Sequence, residues 1–514
     1  MRLKDYSVLC NFKTENRFDF TQFSWYFRIM KIADLKNKKI LILGLGKEGI
    51  DSYLALRKLF PSQVFGIADK KVMQNFDKQT QNLLKKDKNL KLHLGENYLE
   101  TIGPIRNAAS NGVKDYDVII KTPGISPKAL GSFGVKEPSA FVITSQTKIF
   151  FDNFSGIIIG VTGTKGKGTT SSLIYSILKE AGIKTKLVGN IGNPVFQLLL
   201  KTQPSLQGSD PCQTYRDLTP VTASAAPVFV YELSGHQLQE LKKSPCIAVF
   251  LNLFTDHLDY YRNFSEYQKA KENIFIHQTK NNTLIYNKDD KLVGKMIKKA
   301  KAKKIPFSLK TPLTTFEQQL KKNFRLAGDF NFANLRAALK VAEIFKIPQT
   351  TIIKAVKKFR GLPHRLEFIG KYKGIEFYNN SMATIPETTI LDLQTFNGKN
   401  ISLIAGGSDK GSDYKGLAKT ISQTSVKNLI ILGQDTGQKI LNVIKEGVKL
   451  LPARKEFHSF QTRTMREAVK ICYEKTPERG VCLLSPASAS FNLFKDYQDR
   501  GNQFKKWVKF YGSR

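Results

Sequence analysis

Gly163-Thr164-Lys165-Gly166-Lys167-Gly168-Thr169-Thr170 lies between an apolar run, Gly156 to Val161, and the helical spacing of Ser171 to Ala181. Strand, glycine-rich loop and helix in that order make a phosphate cradle. Glycines let backbone N–H groups close on phosphate oxygens, a lysine supplies positive charge, and the helix N-terminus adds its dipole. The strict Walker spacing is not met, because its first glycine falls at Val161. The stretch therefore predicts binding of a nucleoside triphosphate, with a tight βα turn carrying a surface lysine as the bland alternative.

Upstream, Lys39 to Leu43 reads as a strand entering Gly44-Leu45-Gly46-Lys47-Glu48-Gly49. A helix from Ile50 to Phe60 follows, then a strand from Val64 to Ala68 that ends at Asp69. A G-x-G-x-x-G turn with an acid about twenty residues on is the layout of a dinucleotide fold. Asp117 to Ile120 adds a strand closed by Lys121-Thr122-Pro123-Gly124. Downstream of the phosphate loop, strands at Val228–Glu232, Ile247–Leu251 and Thr283–Tyr286 alternate with helices at Phe264–Gln278 and Ala333–Phe345. Strands at Ile401–Ala405, Asn428–Leu432 and Val481–Leu484 repeat the alternation near the C-terminus. Alternating strands and helices predict parallel sheets, and hence an α/β protein. Four segments result: an extension over 1–33, read as flexible or as preceding the true start at Met30; a Rossmann-like domain over 34–148; a central P-loop domain over 149–360; and a Rossmann-like α/β domain over 361–514. Residues Lys201 to Pro227, polar and rich in Pro, Ser and Thr, read as an inserted surface loop.

Composition narrows the function classes. With 41% hydrophobic and 24% charged residues, the 514-residue chain can build several cores, and global disorder is excluded. No apolar run reaches membrane-spanning length, and the first thirty residues hold no apolar signal core, so a cytoplasmic protein is expected. Five scattered cysteines read as free thiols. The net charge of +38 raises a nucleic-acid reading. Its lysines are spread in short groups along the whole length, which favours a solvated basic surface and ranks nucleic acid low.

Triphosphate chemistry needs magnesium, which takes oxygen ligands. Glu232, at a strand end in Glu232-Leu233-Ser234-Gly235-His236-Gln237, is placed for it, as is His257 in Asn252-Leu253-Phe254-Thr255-Asp256-His257. Each also has an ordinary reading, as a strand-end acid and a structural histidine. The series Gly-Thr-Lys-Gly-Lys, Asn190-Ile191-Gly192-Asn193-Pro194, Glu232-Leu233-Ser234, Asp256-His257, Tyr267-x-x-Ala270-Lys271 and Asn287-Lys288-Asp289-Asp290 closely resembles the central domain of the Mur ligases. Gly361-Leu362-Pro363-His364-Arg365-Leu366-Glu367, Ala405-Gly406-Gly407-Ser408-Asp409-Lys410, Leu484-Ser485-Pro486-Ala487-Ser488-Ala489-Ser490 and Arg500-Gly501-Asn502-x-Phe504 are similar to the glutamate-adding branch of that family. The resemblance covers about residues 31–510.

The resemblance implies an ATP-dependent ligase that adds glutamate to UDP-N-acetylmuramoyl-L-alanine through an acyl phosphate, in peptidoglycan precursor synthesis. It implies a monomer with two magnesium ions. Lys167 would steady the β/γ-phosphates, and Glu232, His257 and Thr169 would serve magnesium. Lys271 matches a lysine that is carbamylated in the family. Asn334, Arg365 and Asn380 fall around the nucleotide. Gly44, Leu45, Gly46, Asp69, Thr122 and Asn190 fall on the UDP substrate, and Thr384, Lys410, Ser490 and Tyr497 on the incoming amino acid. Lys167, His257, Lys271 and Lys410 are the implied catalytic group.

Three departures stand out. Gly168 follows the loop lysine where the family has Ser or Thr, a form resembling folylpolyglutamate synthases, with Thr169 as the substitute hydroxyl. Asn380 and Met382 replace an acid and a lysine in Asn379-Asn380-Ser381-Met382-Ala383-Thr384, and Phe330 replaces a histidine. A related amide ligase, including an L-glutamate-adding one, or a basic nucleotide-binding protein without catalysis, remains the alternative reading. The handedness of the amino acid is not fixed by these residues.

Overall fold

The computed structural model describes residues 29–101, 116–126, 142–201, 227–257, 260–408, 411–433, 435–448, 457–491 and 493–513. Residues 1–28 of the expected extension, and residues 202–226 of the expected surface loop, lie outside the described residues. The end of the extension is docked on the fold. Met30 is buried, its N–H donates to the Asp152 carboxylate at 3.0 Å, and the Ile32 N–H donates to Asn153.

Among the described residues, the strands form three sheets. The first contains β1 (Ile40–Leu43), β2 (Phe65–Asp69), β3 (Leu90–Leu94), β4 (Val118–Lys121) and β5 (Val142–Ser145), all parallel in the order β3-β2-β1-β4-β5. The second contains β6 (Ile157–Thr162), β7 (Thr185–Gly189), β8 (Val228–Glu232), β9 (Ile247–Phe250), β10 (Thr283–Asn287) and β11 (Lys303–Phe307), all parallel in the order β11-β10-β9-β6-β8-β7. The third contains β12 (Glu367–Tyr372), β13 (Ile375–Asn379), β14 (Ile401–Ala405), β15 (Val426–Leu432), β16 (His458–Thr462) and β17 (Val481–Leu484). Its order is β12-β13-β17-β14-β15-β16, with only β12 antiparallel to its neighbour.

The central strands are continuous apolar runs because both sheet faces are covered by helices. Ile157, Ile159 and Val161 of β6 pack with Leu173, Ile174 and Ile177 of the Lys167–Glu180 helix, while Ile158 faces the Phe229 and Phe250 side. The helix expected over Phe264–Gln278 stops at Glu272, and that expected from Ala333 begins at Asp329. Cys472 and Cys482 are free and buried, whereas Cys246, contrary to the free-thiol reading, is disulfide-bonded.

Sheet order places the functional loops. In open parallel sheets, ligands bind beyond the carboxyl ends of strands where the order reverses. That point lies between β1 and β4 in the first sheet, at Gly44 and Thr122. In the second, β6 sits between β8 and β9, with Val161 opposite Glu232 and Thr162 opposite Phe250. The phosphate loop, Glu232 and the Asn252–His257 loop therefore emerge together. In the third, β17 lies between β13 and β14, with Leu484 opposite both Asn379 and Ile404, so three C-terminal loops share one end.

Candidate active site

The phosphate loop is shaped by its own backbone. Gly166 caps the Lys167–Glu180 helix at φ +86°, and a Cβ there would lie 2.4 Å from the Asn334 Oδ1. Only glycine fits that left-handed, crowded position, and Asn334, which the resemblance puts near the nucleotide, approaches the loop there. The loop is stitched to the segment after β9. Asn252 accepts from the Lys165 N–H at 2.9 Å and donates to the Lys165 carbonyl at 3.0 Å. Thr164 Oγ1 accepts from the Phe254 N–H, and the Tyr267 hydroxyl lies 3.3 Å from it. Asn252, quoted only as part of a motif, is thus a bracket for the cradle.

Charge is concentrated at this end of the sheet. Lys167 Nζ donates to the carbonyls of Gly163 and Thr164, both at 3.0 Å. Burial lowers its pKa to about 8, opposed by Glu232. Glu232 is buried, and its Oε2 has no hydrogen-bond partner among the described residues. Desolvation raises its pKa, while Lys167, Arg365 and Lys271 oppose the shift. Lys271, 1% exposed, donates to the Gly163 carbonyl at 2.9 Å and lies 4.8 Å from the Tyr267 ring centre. Burial drives its pKa well below the usual lysine range, reinforced by the charge on Lys167. A buried ammonium beside a second cation is disfavoured, so Lys271 tends toward the neutral amine.

His257 sits at φ +56°, its side chain 46% exposed, with Nε2 3.8 Å from Asp256 and its ring edge-on to His236 at 4.9 Å. Asp256 also pairs with Lys165 at 3.5 Å. Gly168 faces the acid directly: a Cβ there would lie 3.3 Å from Glu232 Oε2, 3.1 Å from Leu362 and 2.3 Å from Ile191. The missing hydroxyl therefore has a packing cause. Thr169 is buried one residue further round the helix, about 100° away.

The first sheet closes on this centre through a polar interface. Gln237 donates to Glu48 at 2.7 Å, and burial raises the Glu48 pKa to about 7. Lys121 and Glu240, both almost fully buried, pair at 2.5 Å. Asp69 accepts from the Leu45 N–H at 2.6 Å, and Thr122 Oγ1 donates to the Leu43 carbonyl while filling the space a Gly44 side chain would need. Asp69 thus holds the Gly44-Leu45-Gly46 turn in shape. Asn190 is exposed, beside the Ile191 that touches position 168.

From the third sheet, Arg365 reaches the electrostatic neighbourhood of Lys167 and Glu232, its Nη2 3.9 Å from the Met382 sulfur. Asn380 donates to Asp392 at 2.6 Å, and Ser485 donates to the same oxygen at 2.7 Å. The amide that replaces an acid thus faces an acid that the sequence reading missed. Thr384 and Tyr497 are half-buried and Ser490 is buried, on the loops that share one end of this sheet. Lys410 lies outside the described residues.

Burial raises the Asp392 pKa to about 7. Between about pH 4 and 7 the folded protein holds a proton that the unfolded chain has released, so stability falls as pH rises through that window, by a few kcal/mol at most. Asp392→Asn removes this titration. Its denaturation midpoint relative to the parent should therefore improve from pH 4.5 to pH 7.5, and parallel midpoints would contradict the assignment.

Residues 161–342 match the Mur ligase middle domain. Over 492 residues the chain is 32% identical to a UDP-N-acetylmuramoylalanine--D-glutamate ligase of Acetivibrio thermocellus, covering 92% of this chain and 97% of that relative. The chain belongs to the Mur ligase family. A ligase of the same description from Clostridioides difficile is also 32% identical, with 92% and 98% covered. Two solved Mur ligases from Thermotoga maritima share the fold at low sequence identity. The UDP-N-acetylmuramate-alanine ligase gives a TM-score of 0.53 at 17% identity, covering 93% of this chain and all of that one. The MurF ligase, solved in complex with ADP, gives 0.51 at 13%, covering 95% and 99%. As a Mur ligase the chain is an ATP-dependent amide-forming enzyme, and no described helix is long and apolar enough to cross a membrane.

Proposed function

We propose that this chain joins D-glutamate to UDP-N-acetylmuramoyl-L-alanine at the expense of ATP, in cytoplasmic peptidoglycan precursor synthesis. The observation that carries the reading is the near end-to-end correspondence with ligases of that name, covering all three sheets. Gly168, the one feature that favoured a folate-type polyglutamylase, sits against Ile191, Leu362 and Glu232, where a side chain would be crowded.

The residues suit magnesium. Among the described residues, Glu232 Oε2 is a buried carboxylate oxygen with no hydrogen-bond partner. That is the donor pattern for an ion that takes most of its oxygens from phosphates and water. Glu232 and His257, with the Thr169 hydroxyl and a carbamylated Lys271, would hold one or two such ions. When bound, they neutralise phosphate charge.

Gly163 to Thr170, Asn334, Arg365 and Asn380 take the nucleotide, with Lys167 and Arg365 as the cations on its phosphates. The turn at Gly44-Leu45-Gly46, braced by Asp69 and Thr122 and joined by Asn190, takes the UDP end of the other substrate. Its terminal carboxylate attacks the γ-phosphorus, releasing ADP and leaving an acyl phosphate. The amine of glutamate, gripped by Thr384, Lys410, Ser490 and Tyr497, adds to the acyl carbon, and loss of phosphate leaves the amide. Both steps move negative charge, so the cations at this end of the sheet do most of the work.

A phosphate-release assay with ATP, magnesium, UDP-N-acetylmuramoyl-L-alanine and each enantiomer of glutamate tests the reading. Release is expected with the D form. Release only with the L form, or none with either, would refute it.

A further inference from the structure

Among the described residues, Arg500 is the largest side chain that is fully buried, and no carboxylate pairs with it. It stands in the first turn of the Tyr497–Gly512 helix, where the helix dipole also disfavours a cation. A guanidinium kept in so costly a place is doing something that an apolar side chain could not.

Its contacts show what. Nε donates to Ser381 Oγ at 3.0 Å and Nη2 to the Ser381 carbonyl at 2.9 Å. Nη2 also donates to the Ser488 carbonyl at 3.0 Å, and Nη1 to the Ala489 carbonyl at 3.2 Å. Ser381 Oγ donates onward to the Tyr497 carbonyl at 2.7 Å. Ala489 also accepts from the Ser408 N–H at 2.9 Å, and a Cβ on Gly407 would lie 3.1 Å from Nη1. One planar fork thus ties the loop after β13, which leads to Thr384, to the loop after β17, which carries Ser490. It also abuts the loop after β14 and belongs to the helix that begins with Tyr497. Ser381 lies 119 residues from Arg500 along the chain, whereas Ser488 and Ala489 lie 12 and 11 away, and the loops after β14 and β17 also meet through the Ser408–Ala489 backbone bridge.

We propose that Arg500 is a positioning residue for the acceptor amino acid: it holds the loops bearing Thr384, Ser490 and Tyr497 in one arrangement, and so sets affinity for the amine substrate rather than for ATP or the UDP substrate. This rests on the ligase reading above. Several short polar bonds made by one rigid guanidinium cannot be reproduced by an ammonium on a flexible stem.

The test is steady-state kinetics on the full chain with each substrate varied in turn. Arg500→Lys is expected to raise KM for glutamate by about tenfold or more, with KM for ATP and for the UDP substrate changed by less than about threefold. A folded variant with the parental KM for glutamate, or with all three KM values raised together, overturns the proposal. If Arg500→Lys does not fold, Ser381→Ala removes the hydroxyl link alone. It should raise the glutamate KM selectively by a smaller factor, and an unchanged value overturns the proposal equally. A parent protein that releases no phosphate with any amino acid would instead refute the ligase reading.

Discussion

Lys167→Ala is expected to lower ATP-dependent phosphate release by at least about 100- to 1,000-fold, the range seen when one main electrostatic donor is lost from a site where charge develops. Among the described residues, Lys167 donates to the carbonyls of Gly163 and Thr164 within its own loop, so its loss should cost the fold little. Those two bonds hold the ammonium over the cradle until phosphates replace them. The variant should keep the parental circular dichroism spectrum and melting midpoint while losing turnover. Near-normal phosphate release from a folded variant would refute the phosphate-binding role.

Lys271→Ala should produce the second-largest loss, on the order of 100-fold, partly restored by acetate or formate. The physical ground is the state of the amine. Burial and the Lys167 charge favour the neutral form of Lys271, and a neutral amine is the form that adds carbon dioxide, losing one proton to give a carbamate. The change converts a buried neutral amine into an anion beside Lys167, and a small added carboxylate can stand in for that anion. Activity lost beyond any rescue by short carboxylates would count against carbamylation. Full activity in the variant would remove Lys271 from the site altogether.

These two lysines also show which parts of the site a sequence can disclose. Lys167 sits in a compact motif, because a loop that wraps phosphate must follow its strand and precede its helix within a few residues, whereas Lys271 reaches the Gly163 carbonyl from a helix 108 residues away. Their partners are another matter. Asn252 brackets Lys165 from 87 residues away, and Gln237 reaches Glu48 from 189 residues away. Asp392 lies in the Pro386–Thr395 helix, outside every motif read from the sequence, yet it receives the Asn380 and Ser485 donors. Nothing local marks such residues, since their role depends on a neighbour that only the folded chain supplies.

The strands divide along the same line. Those read directly, such as β1, β6, β9, β14 and β17, lie inside their sheets, where burial on both faces forces an unbroken apolar run. The strands at both edges of all three sheets, β3, β5, β7, β11, β12 and β16, escaped the reading, as did the inner strand β13, whose apolar run is broken by Glu376. Edges such as Leu90-Lys91-Leu92-His93-Leu94 and Lys303-Lys304-Ile305-Pro306-Phe307 carry charge or proline because one side of each strand meets solvent, which also guards against pairing with other chains.

By itself, then, the sequence determined the α/β class, the phosphate cradle and the order of the ligand-binding loops, all of which are written in contiguous residues. Only the tertiary structure decided that Gly168 is forced by Ile191, Leu362 and Glu232, that Asn380 answers to Asp392, and that Arg500 ties the loops after β13 and β17 together. Hydrogen bonding and packing act over ångströms of space, and the distance along the chain between partners is set by topology alone.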